Sequence, residues 1–149
     1  MESTTLVSDR DIEVAAALRT VIHRLVKLLR RETHEKGPFS LTERSVMGSL
    51  YQLGDQPPST LAQLEKVTSQ SMSQIISHLD EAGLIQKTPS GEDKRKVLLS
   101  LSPAGRAYVE DARDRKQEWL AHALQQKVSP AEKDLLMESL KILTKIIDE

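Results

Sequence analysis

The chain lacks cysteine, long apolar runs and almost all aromatic residues. None of its 149 residues is cysteine, which excludes disulfide bonds, thiol redox sensing and cysteine–zinc sites. Aromatic residues make up 3% of the chain, so the core must be built mainly from aliphatic side chains. No signal-peptide pattern and no run long enough to span a membrane is present. These absences predict a cytoplasmic protein with no membrane partner.

Net charge is close to zero, both overall and in the middle of the chain. The formal net charge is −1, and residues 60–102 contain five basic and five acidic residues. Small nucleic-acid-binding proteins are often basic, so this balance argues mildly against DNA binding. The positive charge is concentrated in Lys94-Arg95-Lys96. Any contact with DNA must therefore depend on this cluster, on helix N-termini and on neutral hydroxyl and amide side chains.

Long amphipathic helices are predicted on both sides of this middle segment. Apolar residues recur every three or four positions from Asp9 to about Glu35, from Pro103 to about Gln126, and from Pro130 to about Asp148. The first and last helices carry more apolar surface than one contact needs. They are either part of the core or the surface at which two copies of the chain meet.

Three shorter helices are predicted in the middle segment. Ser40 begins the first with the spacing of a capping box, Thr60 is expected to cap the second, and Thr68 the third, which ends near Ala82. The residues predicted to face inward are Val46, Met47, Leu50 and Leu53 in the first helix, Leu61, Ala62 and Leu64 in the second, and Met72, Ile75, Ile76 and Leu79 in the third.

A β-hairpin is predicted after the third of these helices. Residues 84–87 and 97–101 have strand character, and Pro89 and Gly91 mark the loop between them. The order of helix, turn, helix and hairpin is that of a winged helix-turn-helix, which places its second helix in the DNA major groove. The fold is therefore predicted to be mainly α with a small β-hairpin wing, flanked by long dimerisation helices.

The third helix has an unusual outward face made of serine and glutamine. A helix face that only meets solvent would normally use Lys, Glu and Arg, which are better helix formers. Serine and glutamine can hydrogen-bond to base edges and phosphates. A solvated polar face is the competing interpretation, but the position between a short helix and a hairpin favours DNA. The residues predicted to contact DNA are Thr60, Ser69, Gln70, Ser71, Ser73, Gln74, Ser77, Lys87, Lys94 and Arg95.

These elements and two motifs resemble the MarR (multiple antibiotic resistance regulator) family of bacterial winged-helix transcription factors over nearly the whole chain. The more specific motif is DKRKVLLSLSPAG, from Asp93 to Gly105, which matches the family's wing pattern of Asp-x-Arg, an apolar strand and Leu-Ser/Thr-x-x-Gly. The second is MSQIISHLDEAGL, from Met72 to Leu84. The resemblance implies that Arg95 enters the minor groove and that Asp93 orients the wing.

The resemblance also implies a homodimer built from the terminal helices, usually a repressor, acting on a palindromic operator. Many members release DNA when a small molecule binds, so we expect a phenolic or amphipathic effector in a pocket near His23, Met47 and Tyr51. Two departures are Ser45 and Gln74, where the family often has Gln and Arg. They indicate altered sequence preference or weaker affinity.

The length of the chain predicts a single domain over residues 1–149. Residues 9–35 and 103–149 are assigned to dimerisation and 40–102 to DNA binding. The four histidines lack metal-ligand spacing, and no nucleophile motif or phosphate loop occurs, so we predict no enzyme, metal or cofactor. The alternative function is a winged-helix protein-interaction module without DNA binding. The neutral charge favours it, whereas the hairpin cluster and the Ser/Gln face oppose it.

Overall fold

The structure, a computed structural model, describes residues 6–33, 37–91 and 96–148, and its elements confirm the predicted fold class. Within these residues, helices predominate and two antiparallel strands form a hairpin. In chain order the elements are α1 (Asp9–Glu32), α2 (Leu41–Leu53), α3 (Pro58–Glu65), α4 (Ser69–Glu81), β1 (Ile85–Pro89), β2 (Val97–Leu101), α5 (Pro103–Lys127) and α6 (Pro130–Ile147).

The chain divides into two compact units. The winged-helix unit, residues 36–115, contains α2, α3, α4, the hairpin and the first part of α5. The helical unit, residues 1–35 and 116–149, contains α1, the rest of α5 and α6. The assignment of the whole chain to a single domain stays a prediction.

Most helices begin at the residues that the sequence marks as caps. Ser40 forms the predicted capping box at α2, and Ser129 forms one at α6. The hydroxyl of Thr68 accepts the amide proton of Ser71 at 3.1 Å and caps α4. Because a side-chain cap satisfies an otherwise unpaired amide, each contributes about 1 kcal/mol to its helix.

The predicted cap at Thr60 is wrong. The short helix begins at Pro58, with Pro57 in the capping position and no side-chain cap, so Thr60 lies inside the helix. Proline has no amide proton to satisfy, and its fixed φ suits the first turn of a helix. The Pro-Pro pair therefore starts α3 without help from a hydroxyl.

The core lies in the winged-helix unit, where α4 packs against α2, α3 and β1. Two leucines predicted to face inward are instead about half exposed, Leu53 at 54% and Leu64 at 50%. Leu53 is the last residue of α2, and Leu64 is rotated by roughly a third of a turn from the buried pair of α3 at 100° per residue. The buried apolar residues are Val46, Met47, Leu50, Leu61, Ala62, Met72, Ile76, Leu79, Leu84, Ile85, Leu99 and Val109.

The hairpin is fastened to the helices on its second strand. β1 extends to Pro89, two residues beyond the predicted strand, and pairs there with Val97. Between α2 and α3, Gln56 exchanges two backbone hydrogen bonds with Leu99, at 3.0 and 2.8 Å. A two-stranded hairpin alone is marginally stable, so this bridge and the burial of Leu99 hold the wing on the helices.

The Leu-Ser-x-x-Gly motif joins α4, β1 and α5. The buried Ser102 hydroxyl donates to the carbonyl of Gly83 at 2.5 Å and accepts the amide of Gly105 at 3.0 Å. The amide of Ser102 also donates to the carbonyl of Leu84 at 3.0 Å. A Cβ atom at Gly105 would lie 1.9 Å from that carbonyl oxygen, so only glycine permits this approach.

The helical unit exposes wide apolar faces. Neither α1 nor α6 buries a residue, and Ile147 of α6 is 77% exposed. These helices therefore do not form part of the core within one chain. Of the two alternatives predicted for them, the contact with a second copy is the one that remains. Despite these faces, no described helix is long and apolar enough to cross a membrane. We call the following residues the terminal apolar surface: Ile12, Val14, Val21, Ile22, Leu25, Val26, Leu135, Leu136, Met137, Leu140, Ile142, Ile146 and Ile147.

Candidate nucleic-acid interface

The outward face of α4 is polar and open. Its inner stripe, Met72, Ile76 and Leu79, is buried in the core. At 100° per residue Gln70 and Gln74 lie on the opposite side of the helix, and both are exposed. The outward side of α4 therefore presents two amides, which can donate and accept hydrogen bonds at the same time.

The polar side chains of α4 that are predicted to contact DNA differ in whether they already make a hydrogen bond within the protein. The Ser73 hydroxyl donates to the backbone carbonyl of Ser69 at 2.9 Å, and the Ser71 hydroxyl accepts from Thr68 at 3.0 Å. The side chains of Gln70, Gln74 and Ser77 make no hydrogen bond to a described residue. These three are the residues best prepared to bind an external partner.

Two grooves border this face. An open groove of about 400 Å³ runs along the outside of α4, lined by Gln70, Ser73, Gln74, Ser77, His78 and Glu81. A second groove, of about 540 Å³, lies where α3 and α4 begin, lined by Pro57, Pro58, Ser59, Ser69, Met72, Ser73, Lys96 and Val97. Helix N-termini carry partial positive charge, and Lys96 adds a full one, so the second groove favours an anion such as a phosphate group.

Positive charge is scarce among the described residues predicted to contact DNA. Lys87 is exposed on β1, but its ammonium lies 3.7 Å from the carboxylate of Asp80, which offsets part of its charge. Thr60 is half-buried inside α3. The predicted wing residues Asp93, Lys94 and Arg95 lie outside the described residues. The closing hydrogen bond of the hairpin, from the amide of Ser90 to the carbonyl of Lys96 at 2.7 Å, brackets them.

A side-chain contact that no local sequence pattern marks lies behind α4. Nδ1 of His78 lies 2.5 Å from Oε1 of Glu43, while Oε2 of the same carboxylate accepts the amide of Ser40 at 2.8 Å. Burial would raise the pKa of Glu43, but the hydrogen bonds from His78 and Ser40 outweigh it and lower that pKa below its usual value. The carboxylate that caps α2 therefore also holds α4 in place.

A second contact of this kind joins α2 and α3. The hydroxyl of Ser45 donates to the carboxylate of Glu65 at 2.6 Å, across a sequence separation of 20 residues. This hydrogen bond ties together the two helices that precede α4.

The three residues predicted to line an effector pocket have different surroundings. Met47 is fully buried in the core of the winged-helix unit. Tyr51, in the same unit, is half-buried, and its ring is approached by the guanidinium groups of Arg106 at 5.3 Å and Arg113 at 5.0 Å. His23 belongs to the helical unit. Neither unit by itself assembles the predicted pocket.

In the part of the chain that the structure describes, no three His, Asp or Glu side chains come close enough together to bind a metal ion. The exposed Gln and Ser side chains along α4 can hydrogen-bond to a polar partner, and the groove where α3 and α4 begin favours an anionic group.

Comparisons with known proteins agree on one family. A model of the MarR family matches residues 39–97. An uncharacterised HTH-type transcriptional regulator of Mycobacterium bovis is 33% identical over 141 residues, which cover 95% of this chain and 97% of that protein. A similar regulator of Mycobacterium leprae is 32% identical with the same coverage.

Solved structures share the fold. A protein from Pseudomonas aeruginosa superposes with a TM-score of 0.81 and 28% identity, covering 96% of this chain and 99% of that one. A MarR family protein from Bacillus stearothermophilus superposes with a TM-score of 0.76 over 97% of this chain and 100% of that one. At 18% identity the second match shows the fold alone.

Proposed function

The chain belongs to the MarR family of DNA-binding transcriptional regulators, and on that premise we propose that it is a homodimeric, ligand-responsive repressor of a palindromic operator. The curated relatives are transcriptional regulators and not enzymes, which confirms the prediction made from the missing catalytic motifs. The single observation that carries the proposal is the exposed amide pair of α4, since Gln70 and Gln74 make no hydrogen bond to any described residue and the helix beneath them is packed into the core.

In this proposal α4 enters the major groove. Gln70 and Gln74 contact base edges there, because a glutamine amide matches the donor and acceptor pattern of adenine. Ser69 and Lys96 line the protein groove at the starts of α3 and α4, where they position a phosphate of the DNA backbone. The neutral amides supply sequence preference. The partial positive charge at the helix N-termini attracts the DNA phosphates and partly compensates for the low net charge of the protein.

The wing contributes a second contact. Arg95 is proposed to enter the minor groove, where a narrow A·T-rich groove deepens the negative potential. Asp93 is proposed to orient the wing, and Lys94 to contact DNA. Their support is the match to the family's wing pattern together with the anchored strand β2.

Dimerisation is proposed to occur through the terminal apolar surface. Its exposed aliphatic side chains lie on both α1 and α6, and a monomer in water rarely leaves so much apolar surface uncovered. Two-fold symmetry of the dimer would be matched by two-fold symmetry of the DNA site. We therefore expect half-sites whose centres are about 10 bp apart, or a multiple of that spacing.

The effector is proposed to be a phenolic or amphipathic acid that binds beside Tyr51, in the winged-helix unit. The two guanidinium groups on the ring of Tyr51 support an acidic ligand, because they combine positive charge with an aromatic surface. Binding of such an acid is expected to lower the affinity for the operator.

The direct test measures binding of the purified protein to a labelled duplex from its own promoter region by fluorescence anisotropy, with random duplex as competitor. Gln74→Ala should weaken binding to the promoter duplex by about tenfold, since one bidentate base contact contributes about 1–3 kcal/mol to discrimination. Gln125→Ala, at an exposed position of α5 in the helical unit, is the matched control and should bind as the wild type does.

Equal binding of both duplexes at every salt concentration would overturn the proposal. It would favour the alternative of a winged-helix protein-interaction module that does not bind DNA specifically. Specific binding that Gln74→Ala leaves unchanged would remove the role given to this amide, without touching the family assignment.

A further inference from the structure

The recognition helix α4 has no lysine or arginine, although its proposed partner is a polyanion. The basic side chain on this helix is His78, in its last turn. Asp80 and Glu81 follow it, so the formal charge of the α4 side chains is −2 with a neutral imidazole and −1 with a protonated one. The protonation state of one residue therefore has a large effect on the charge that this helix presents.

His78 is anchored on one edge and open on the other. Its Nδ1 is bound by Glu43, a residue only 8% exposed, and its ring packs on Phe39 with centroids 5.4 Å apart. The Nε2 atom, on the opposite edge of the ring, has no hydrogen-bond partner among the described residues. The side chain is 46% exposed and lines the same outer groove as Gln74.

The charged and titratable groups around the ring are few. Glu43 faces it from α2, and Glu81 lines the outer groove beside it along α4. On the side of α5, the phenol of Tyr108 stands behind Phe39, with the two rings 5.5 Å apart and nearly perpendicular. Two of these neighbours are carboxylates, and no Lys or Arg in the described part of the chain makes a hydrogen bond or an ion pair with the ring.

The geometry dictates what Nε2 offers in each protonation state. A neutral ring that donates Nδ1–H to the buried carboxylate leaves a lone pair on Nε2. Phosphate oxygens and the guanine N7 and O6 atoms also present lone pairs, so a neutral ring would repel them. An imidazolium keeps the bond to Glu43 and presents Nε2–H as a charged donor, the stronger class of hydrogen bond.

We propose that His78 is the cationic DNA contact of the recognition helix, and that formation of the specific complex takes up one proton from solvent at Nε2. Glu43 acts as a positioning residue that fixes the ring and faces it with negative charge. The proposal rests on the proposed DNA-binding function and adds a pH dependence to it. Operator affinity is therefore expected to rise as the pH falls.

The test measures the affinity for the promoter duplex at about pH 6 and about pH 8, at constant ionic strength because salt alone changes DNA affinity. The wild type should bind about tenfold more tightly at the lower pH, the factor that corresponds to a charge-assisted hydrogen bond of about 1.4 kcal/mol. His78→Gln keeps a polar side chain that cannot take up the proton, and its affinity should be nearly independent of pH. His78→Arg should bind tightly at both pH values.

The matched control is His122→Gln. His122 also lies near a carboxylate, with Nε2 4.0 Å from Glu118, but it stands on α5 in the helical unit and is well exposed. This variant should keep the pH dependence of the wild type. If His122→Gln abolishes that dependence, the proton is taken up elsewhere and the role of His78 is refuted.

Failure of this inference is separable from failure of the proposed function. Absence of specific binding at every pH would refute DNA recognition itself. Specific binding with the same pH dependence in the wild type and in His78→Arg would refute only the proton uptake at His78. The arginine variant decides this even if His78→Gln does not fold, and circular dichroism of each variant establishes that it is folded.

Discussion

Substitution of Gly105 by alanine should destabilise the winged-helix unit by an amount that its geometry allows us to estimate. The new Cβ would lie 1.9 Å from the carbonyl oxygen of Leu84 and 2.9 Å from its carbonyl carbon. An ordinary carbon–oxygen contact is about 3.3 Å, so the two backbones must separate by about 1.4 Å. That movement would break the hydrogen bond from Ser102 to the same carbonyl.

The expected net cost is about 2–3 kcal/mol. Overpacking against a backbone atom costs up to about 3 kcal/mol and the lost hydrogen bond about 1 kcal/mol, while alanine regains about 1 kcal/mol of helix propensity. The matched control is Gly48→Ala, inside α2, where a Cβ would meet nothing within 4 Å. Because only helix propensity changes there, Gly48→Ala should stabilise the protein by about 0.5–1 kcal/mol.

The assay is urea denaturation followed by far-UV circular dichroism. All variants are compared at one protein concentration, because dimerisation would make the midpoint depend on concentration. The two substitutions should shift the midpoint in opposite directions. If Gly105→Ala is as stable as the wild type, α5 does not approach Leu84 as described, and the explanation of the Leu-Ser-x-x-Gly motif is wrong.

Two further predictions concern the buried carboxylate and the dimer. Because the hydrogen bonds of Glu43 to His78 and Ser40 leave its pKa lowered in the folded state, its stabilisation is complete above the ordinary value of 4.5 and is lost as the pH falls through the folded-state pKa. Glu43→Gln should therefore lower the free energy of unfolding by about 1–2 kcal/mol at neutral pH. In denaturation experiments at decreasing pH, the difference in this free energy between variant and wild type should shrink. A difference that stays constant with pH would contradict this. Leu140→Glu should convert the dimer to a monomer in sedimentation equilibrium. Lys141→Glu, on the polar side of α6, should leave the dimer intact. Equal masses for the two variants would count against the terminal apolar surface as the interface.

Features set by a few neighbouring residues were predictable from the sequence. The capping boxes at Ser40 and Ser129 and the cap at Thr68 are local hydrogen bonds over three residues, so spacing alone identifies them. The inner stripe of α4 follows from helical periodicity, and the structure buries Met72, Ile76 and Leu79 as expected. The family pattern at the wing identified the fold as a whole.

Features that depend on tertiary contacts were not predictable in the same way. The contact between His78 and Glu43 spans 35 residues, and no local pattern marks it. Leu53 and Leu64 have the hydrophobicity of core residues, yet their burial depends on which neighbours reach the ends of their helices. The error at Thr60 has a local cause, because the Pro-Pro pair competes with the hydroxyl as a helix start and wins.

The sequence predicted which residues form the candidate site better than it predicted which of their side chains are free of local hydrogen bonds. The sequence identified the Ser/Gln face, but only the structure separates the unbonded amides of Gln70 and Gln74 from the Ser71 and Ser73 hydroxyls, which already make local hydrogen bonds. Side-chain hydroxyls commonly bond to nearby backbone in helices, so exposure does not by itself make them available to a partner.

We propose above that this chain recognises a specific, two-fold symmetric DNA site through α4. Hydroxyl-radical footprinting of its own promoter region would show such a site. We expect two protected half-sites related by two-fold symmetry, with centres about 10 bp apart or a multiple of that spacing, and with protection that weakens as salt rises. Protection that is uniform along the duplex, or no protection at low salt, would contradict it.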